Sequence, residues 1–243
     1  MNISKKIDQE FGLLEKEAIE EYRGISNILK INYLLLAETI LELTGPIIKG
    51  KILDLGSGLG ILSQELAKRY LESEVIGLDI SEEMTKKAEN LAKAENLNNL
   101  KFMVMDAERL GFEDNSIDLI ASHGSLHHWG EPKEVFKEIY RVLKNKGLGF
   151  ISDLRRDAPK EVVDEVANFL GIHQRKGFLN SIKASYLYEE IKNMLSDLGR
   201  NNFEIKEQKF SRNVILKNLE IIKKTNHHSK DYNQLYLNII IRK

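Results

Sequence analysis

KILDLGSGLG, residues 51–60, is the clearest indication of the fold because it joins a short apolar run to a glycine-rich turn. A short apolar run bounded by turn residues predicts a buried strand. Gly56, Gly58 and Gly60 permit a positive φ and let the backbone approach a ligand closely, while the following helix offers free amide donors. The stretch predicts a strand, a ligand-binding turn and a helix. A tight connection without a ligand is the alternative.

A carboxylate at the end of the next apolar run strengthens the prediction of a ligand. EVIGLDIS, residues 74–81, carries Asp79 about 20 residues beyond the turn, where doubly wound folds place an acidic side chain beside the ribose of a nucleoside. The glycine spacing is GxGxG, with Ile61 next, whereas a dinucleotide fingerprint needs GxGxxG. This spacing disfavours a pyrophosphate, so an NAD-dependent oxidoreductase is the less favoured alternative.

Apolar runs alternate with helical patterns along most of the chain. Helices are predicted from about residue 60, from Ser81 and over about 131–143. Strands separated by helices form right-handed crossovers and a parallel sheet covered on both faces. We therefore predict an α/β fold with a doubly wound, mostly parallel, seven-stranded sheet. The strands are KILDL, EVIGLDI, KFMVMD, SIDLIAS, GLGFISDL, FEIKEQKF and QLYLNIIIRK, the last of which closes the sheet.

Helical segments precede and interrupt this alternation. Residues 5–44 carry apolar residues at helical spacing and end at Gly45-Pro46, a helix-stop signal. Residues 1–48 are therefore predicted to form an N-terminal helical cap. Residues 49–243 are predicted to form the main domain, with a helical insert at about 158–199 after the fifth strand. We interpret this insert as a lid.

Composition and charge exclude several classes of function. Of the 243 residues, 42% are hydrophobic and 30% charged, as is typical of soluble globular proteins, and no apolar run approaches the ~20 residues that span a bilayer. Cysteine is absent, which excludes disulfides, thiolate metal sites and cysteine nucleophiles. A formal net charge of −1 provides no field that would hold nucleic acid or an anionic membrane. We expect a cytoplasmic protein that is a monomer or homodimer.

Four stretches between residues 51 and 154 carry a family resemblance. They are DLGSGLG, GLDIS with Met84 after it, VMDAERLGFEDNSIDLIAS and RVLKNKGLGFISDL. In order and spacing they resemble the motifs of class I S-adenosylmethionine-dependent methyltransferases, most of all the small-molecule branch called methyltransferase type 11. The usual LKPGG is LKNKG here, a departure that concerns a turn. The resemblance implies a Rossmann-like methyltransferase fold for residues 49–243.

The resemblance also implies roles for the matching residues. The glycine turn with Ser57 would wrap the amino-acid part of S-adenosylmethionine, and Asp54 would orient its ammonium group. Asp79 would accept both ribose hydroxyls. A structural role in the turn is the alternative for Asp54, and core packing for Met84. Ile80, Met84, Asp106 and Ala107 would contact the adenine. Ser122, after the fourth strand, would also contact the cofactor, and the N-terminal aromatic Tyr22 would fold over it.

Three histidines and a tryptophan end the fourth strand, in SHGSLHHW at residues 122–129. The carboxyl ends of parallel strands form the ligand crevice of such sheets, and histidine titrates near neutrality. His127 or His128 is therefore a candidate base and His123 a candidate acceptor-binding residue; shaping the pocket without proton transfer is the alternative. Adjacent histidines with no carboxylate at i+4 do not form a metal motif, so no metal is predicted.

Two arginines follow the fifth strand in SDLRRDAP, residues 152–159. Arg155 and Arg156 are candidates to clamp a carboxylate or phosphate of the acceptor, since guanidinium binds such groups bidentately. Binding Asp157 or nearby carboxylates, and so holding the lid, is the alternative. We predict in-line methyl transfer from S-adenosylmethionine to a small acceptor, hypothetically anionic, with S-adenosylhomocysteine as product. The alternatives are a non-catalytic cofactor-binding module and, against the neutral charge, a nucleic-acid methyltransferase.

Overall fold

A computed structural model of the chain describes residues 30–45, 49–170, 172–218 and 233–243. The strands are β1 (Lys51–Leu55), β2 (Glu74–Asp79), β3 (Leu100–Val104), β4 (Ile117–His123), β5 (Leu143–Leu154), β6 (Phe203–Glu207) and β7 (Tyr236–Arg242). The helices are α1 (Lys30–Thr44), α2 (Ile61–Arg69), α3 (Glu82–Ala94), α4 (Pro132–Val142), α5 (Lys160–Phe169), α6 (Ile172–Ala184), α7 (Tyr188–Asp197) and α8 (Arg212–Lys217), with single 3-10 turns at Leu126–His128 and Asn233–Leu235.

The strands form one sheet in the order β3-β2-β1-β4-β5-β7-β6. Strands β1 to β5 pair in parallel, and β7 is antiparallel to both β5 and β6. The prediction of a doubly wound, mostly parallel, seven-stranded α/β sheet is confirmed. The expectation that the last strand closes the sheet is wrong in one respect, because β7 lies inside the sheet, between β5 and β6. Strand β6 takes the edge, and β7 enters between β5 and β6 as an antiparallel strand, which needs no crossover helix.

The chain changes direction between β1 and β4. From β1 it proceeds outward through β2 and β3, and it then returns to β4 on the other side of β1. Ligands of open α/β sheets bind outside the carboxyl ends of the strands at such a switch point. The glycine turn after β1 and the SHGSLHHW stretch that ends β4 are both at this point.

Helices cover both faces of the sheet. Helices α1 and α2 share one apolar cluster with it, and α4 and α7 share another. Leu119 and Ala121 of β4 belong to the first cluster and Ile120 to the second, as the alternation of side chains along a strand requires. Helix α1 is thus packed into the same core as the sheet. The division into a cap of residues 1–48 and a domain of residues 49–243 stays a prediction.

The insert after β5 contains three helices, α5 to α7, over residues 160–197. Helices α5 and α6 share an apolar cluster with Leu154 at the end of β5 and Tyr236 at the start of β7. The insert therefore stands beside the carboxyl edge of β5, and its action as a lid stays a prediction. Residues 1–29 lie outside the described part of the chain, and the predicted contact of Tyr22 lies there with them.

Candidate active site

The glycine turn has the backbone that its sequence predicts. Gly56, Gly58 and Gly60 have φ values of +66°, +53° and +73°, in the region that favours glycine. A Cβ on Gly56 would lie 2.1 Å from Oγ of Ser125, and one on Gly60 would lie 2.4 Å from Cζ of Phe102. The turn is therefore packed between the segment after β4 and strand β3, which leaves room only for glycine at both positions.

Asp79 at the end of β2 joins the glycine turn to helix α3. Its Oδ2 accepts a hydrogen bond from the Gly58 amide at 2.8 Å, and its Oδ1 accepts one from the Ser81 amide at 2.9 Å. Burial raises the pKa of Asp79. Each carboxylate oxygen can accept a second hydrogen bond, so Asp79 retains capacity for two hydroxyl donors. That capacity matches the pair of ribose hydroxyls assigned to it.

Asp54 on β1 is buried, with 2% of its surface exposed. Its Oδ2 accepts a hydrogen bond from Oγ of Ser63, on α2, at 2.6 Å. Burial raises the pKa of Asp54 to about 7, although the hydrogen bonds from Ser63 act in the opposite direction. A nearby positive charge would favour the ionised form of such a buried carboxyl. The environment of Asp54 therefore fits a cationic ligand group such as an ammonium.

Ser57 supplies a polar atom that lacks a partner. Its amide donates to the Leu78 carbonyl at 2.8 Å, but its hydroxyl is buried and makes no hydrogen bond within the described chain. A buried hydroxyl without a partner costs about 1–3 kcal/mol, and a polar ligand would remove that cost. Together with Asp54 and Asp79, this hydroxyl fits the amino-acid and ribose parts of S-adenosylmethionine.

The two apolar residues assigned to the adenine differ in exposure. Ile80 is 67% exposed and offers an apolar surface directly after Asp79. Met84 is 2% exposed and packs with Leu59 of the glycine turn. Ile80 is thus free to contact a planar base, whereas the packing of Met84 supports the core-packing alternative.

Of the remaining assigned residues, Asp106 and Ala107 follow β3, and Ser122 lies near the end of β4. Asp106 is exposed and accepts a hydrogen bond from the Glu108 amide at 2.9 Å, and Ala107 packs partly against the core. Ser122 is buried, and its hydroxyl donates to the Leu55 carbonyl at 2.8 Å, which ties the end of β4 to the end of β1. Their contacts with a cofactor stay predictions.

His127 and Asp153 form a buried pair at the ends of β4 and β5. Oδ1 of Asp153 lies 2.7 Å from Nδ1 of His127, and Oδ2 accepts a hydrogen bond from the His127 amide at 2.7 Å. Nε2 of His127 is buried and makes no hydrogen bond within the described residues. In a neutral imidazole, a carboxylate at Nδ1 selects the tautomer with its proton there, and Nε2 then has the lone pair that a base needs.

The charge state of Asp153 follows from its partners. Burial on its own would raise the pKa of Asp153, but the interaction with His127 and hydrogen bonds from the backbone amides of His127 and Leu154 hold it below its ordinary value. Asp153 is therefore an ionised partner for the imidazole. His128 differs from its neighbour: it is exposed, and its ring centroid lies 4.0 Å from that of His127.

Comparison with known proteins matches this site to one family. Residues 53–151 match the model of one protein family, methyltransferase type 11, which is described as a methyltransferase domain. This part of the chain is similar to methyltransferase domains. The match covers the glycine turn, Asp79 and the stretch after β4, and it favours methyl transfer over NAD-dependent oxidoreduction.

Individual relatives agree with this similarity. An uncharacterized methyltransferase of Bacillus subtilis, YcgJ, is 32% identical over 142 residues, which are 56% of this chain and 54% of that protein. The chain thus spans about half the length of the curated relatives it matches.

A Methanococcus maripaludis protein described as an S-adenosyl-L-methionine-dependent methyltransferase is 24% identical with a TM-score of 0.68, covering 99% of this chain and 96% of that one. The plantazolicin methyltransferase BpumL, solved with S-adenosylhomocysteine, is 20% identical with a TM-score of 0.72, covering 94% and 91%. The last two likenesses show the fold.

Both arginines that follow β5 face protein groups. Arg155 donates two hydrogen bonds to the carboxylate of Asp157, at 2.7 and 2.9 Å, and a third to Glu207 at 2.6 Å. Arg156 donates to the Ser185 carbonyl at 2.8 Å and also binds Glu190. These contacts tie β5 to the insert and to β6. They support the structural alternative over a clamp for an anionic acceptor.

His123, predicted to bind the acceptor, lies on the opposite face of the sheet from Asp153. It is buried, 4.9 Å from the Tyr33 ring in an edge-on arrangement and 5.2 Å from the Tyr236 ring, between centroids. Burial lowers the pKa of His123 to about 4, so the imidazole is neutral at physiological pH. It presents a neutral polar group among aromatic rings.

Three residues around the site carry roles that sequence reasoning did not assign. Asp153 orients His127, Ser63 binds Asp54, and Ser125 packs on Gly56 while accepting a hydrogen bond from Nε1 of Trp129 at 2.8 Å. The position of Asp153 at the carboxyl end of the strand next to β4 was the one available signal. Within the described ranges, no group of three or more histidines and carboxylates is arranged to hold a metal ion, and no described helix is long and apolar enough to cross a membrane.

Proposed function

We propose that the protein transfers a methyl group from S-adenosylmethionine to a small-molecule acceptor. The observation that carries this proposal is the geometry of Asp79, which binds the glycine turn and the start of α3 and keeps two acceptor positions for hydroxyl donors. The family of residues 53–151 supports it independently. The cofactor would supply an electrophilic methyl group on a sulfonium, so the acceptor needs a nucleophilic lone pair.

Residues of the turn and the first two strands would hold the cofactor. Asp79 would bind the ribose hydroxyls, and the carboxylate of Asp54 would bind the ammonium group. The unpartnered hydroxyl of Ser57 would bind a polar atom of the amino-acid part. Ile80 would contact the adenine through its exposed apolar side chain.

His127 is the base in this proposal, and Asp153 is its positioning residue. A neutral O–H or N–H acceptor must lose a proton as it gains a methyl group, and a positioned base accelerates such a step about 10²- to 10⁴-fold. Nε2 of His127 would take that proton, while Asp153 would hold the tautomer and stabilise the imidazolium that results. His128 is exposed, whereas His127 is buried and held by two contacts with Asp153.

Turnover of labelled donor tests the proposal. Purified protein is incubated with methyl-labelled S-adenosylmethionine and a small-molecule fraction of cell extract, and the labelled product is identified. We expect label in a small molecule, lost in Asp79→Asn and strongly reduced in His127→Gln. A protein that binds the cofactor yet labels nothing would support the non-catalytic binding module instead.

A further inference from the structure

A row of polar side chains crosses three neighbouring strands at the carboxyl edge of the sheet. His123 on β4 pairs with Ser152 on β5, and Ser152 pairs with Asn238 on β7. Residues two positions earlier on β4 and β5, and two positions later on β7, belong to the apolar cluster that α1 covers. Because side chains alternate along a strand, the three polar side chains project from that same face.

Two members of this row have buried polar atoms without partners. His123 is 6% exposed and Asn238 is 2% exposed. Nδ1 of His123 and Oδ1 of Asn238 make no hydrogen bond to any described residue. Ser152 is satisfied, since its hydroxyl donates to Oε1 of Gln208 at 3.1 Å. Buried polar atoms without partners are rare in folded proteins, and each calls for an explanation such as water or a ligand.

Aromatic rings lie against the row, and Asp153, whose charge acts on His123, projects from the opposite face of the sheet. The rings of Tyr33 and Tyr236 lie 4.9 and 5.2 Å from the His123 ring, between centroids. His123 is itself neutral, because burial lowers its pKa to about 4. An anionic group brought to the row would lose its hydration and would meet the negative charge of Asp153 without a compensating partner. The row therefore suits a ligand group that is polar, flat and uncharged.

The row is next to the part of the site that would hold the methionine end of the cofactor. Asp54 on β1 pairs with Ala121 on β4, and His123 follows Ala121 by two residues on the same face. A group bound at the row would thus sit one strand away from the glycine turn. On its outer side, Tyr236 packs with the insert helices α5 and α6.

We propose that His123, Ser152 and Asn238 form the acceptor-binding subsite and that it takes an uncharged, planar group carrying a hydroxyl or amide N–H donor. The donor binds Oδ1 of Asn238, and Nδ1 of His123 pairs with a second polar atom of the same group. This inference rests on the proposed methyl transfer and replaces the anionic acceptor hypothesised from the sequence.

Benzamide and benzoate provide a matched pair of probes. They have nearly the same shape, but benzamide is uncharged and has N–H donors, whereas benzoate is anionic and has none. Their dissociation constants are measured by ligand-observed NMR on the full chain, with and without S-adenosylhomocysteine. We expect benzamide to bind at least tenfold more tightly than benzoate. Equal binding of both probes, or binding of neither, would overturn the proposal.

Two variants test whether benzamide binds at the row of His123, Ser152 and Asn238. Asn238→Leu removes the unpartnered oxygen, and His123→Phe removes both ring nitrogens but keeps an aromatic ring. Each is expected to weaken benzamide binding at least tenfold, whereas the matched control Asn218→Leu, a buried asparagine whose amide donates to the Val214 carbonyl, changes it less than twofold. Benzamide affinity that survives in both row variants would refute the subsite.

Stability separates a binding role from a structural one. Replacing a buried polar group that has no partner by an apolar one of similar shape is neutral or stabilising, so Tm of His123→Phe should equal or exceed that of the wild type. A large fall in Tm would indicate structural partners and contradict the subsite. A separate titration with S-adenosylhomocysteine distinguishes failure of the two proposals. Absence of binding in that titration would contradict the cofactor site, whereas the benzamide and benzoate results test only the acceptor-binding subsite.

Discussion

The Asp153 carboxylate binds His127 twice, 2.7 Å from Nδ1 of the ring and 2.7 Å from the backbone amide. The two contacts fix both the tautomer and the position of the imidazole, because one joins the ring and the other joins the chain that carries it. Nε2 is left buried and without a hydrogen-bond partner among the described residues. A base needs this arrangement, in which one ring nitrogen is held and the other is free to accept a proton.

Removal of the base should lower turnover without weakening cofactor binding. His127→Gln is expected to reduce kcat by about 10²- to 10³-fold, while the S-adenosylhomocysteine dissociation constant stays within threefold of the wild type. Asp153→Asn should lower kcat at least about tenfold, because an amide does not select the same tautomer. The measurement is labelled-methyl transfer to the acceptor identified from extract. A wild-type kcat in His127→Gln, or a larger loss in His128→Gln, would contradict this assignment.

Cofactor affinity should depend on pH through Asp54. Burial raises the pKa of Asp54 to about 7, so the group is largely protonated at pH 6 and must ionise to pair with an ammonium. Affinity for S-adenosylhomocysteine should therefore rise with pH, by up to about tenfold per unit below pH 7, and level off above it. Calorimetric titrations at pH 6 and pH 8 measure the effect. Asp54→Asn should bind more weakly at pH 8 and lose most of the difference; an unchanged wild-type affinity at pH 6 would exclude this role.

A methyl group on the glycine turn should destabilise the protein. Gly56 has a φ of +66°, and a Cβ there would lie 2.1 Å from Oγ of Ser125, so Gly56→Ala should lower the free energy of unfolding by about 1–3 kcal/mol. The control is Gly177→Ala in α6, where a Cβ meets no atom within 4 Å and alanine should stabilise the helix by about 0.5–1 kcal/mol. Urea unfolding compares them. Equal stability of the two variants would show that the turn tolerates a side chain.

Acid should destabilise the protein through His123. The pKa of His123 is lowered by burial from 6.5 to about 4, so between these values the unfolded chain binds a proton that the folded chain does not. Stability is lost as pH falls through this window, by about 2 kcal/mol at pH 5. Urea unfolding of the wild type and His123→Phe at pH 7.5 and pH 5 should show that the variant escapes this loss. Parallel losses in both proteins would be inconsistent with a buried neutral imidazole.

The spacing of apolar residues along the chain predicted the strands and helices that depend on residues close in sequence. Apolar runs with helical stretches between them predicted β1 to β5 and their helices, because the runs are bounded by turn residues and, except in the edge strand β3, are buried on both faces. The position of Asp79 followed from the length of one crossover, since the ends of neighbouring parallel strands meet at one edge of the sheet. The family resemblance then supplied the ligand, which spacing alone left open.

Contacts between distant residues were not predictable, because a period-2 pattern gives the face of a strand but not its register. Asp153 contacts His127 because β4 and β5 pair in a register that places His123 beside Ser152, so that the residues following each of these lie close together. Arg155 faces Glu207, 52 residues later in the chain, across strands whose neighbourhood depends on the antiparallel β7. The sequence therefore identified the arginines as charged groups at the correct edge of the sheet but could not show what they bind.

Calorimetric titration of the wild type and Asp79→Asn with S-adenosylhomocysteine and with NAD tests the cofactor site itself. Hydrogen bonds to a charged group contribute about 1.5–3 kcal/mol each, so the variant, which keeps the size of the side chain but loses its charge, should bind S-adenosylhomocysteine at least about tenfold more weakly. We predict saturable binding of S-adenosylhomocysteine by the wild type and none of NAD. Binding of NAD alone, or equal affinity of wild type and variant for S-adenosylhomocysteine, would contradict a cofactor site built on Asp79.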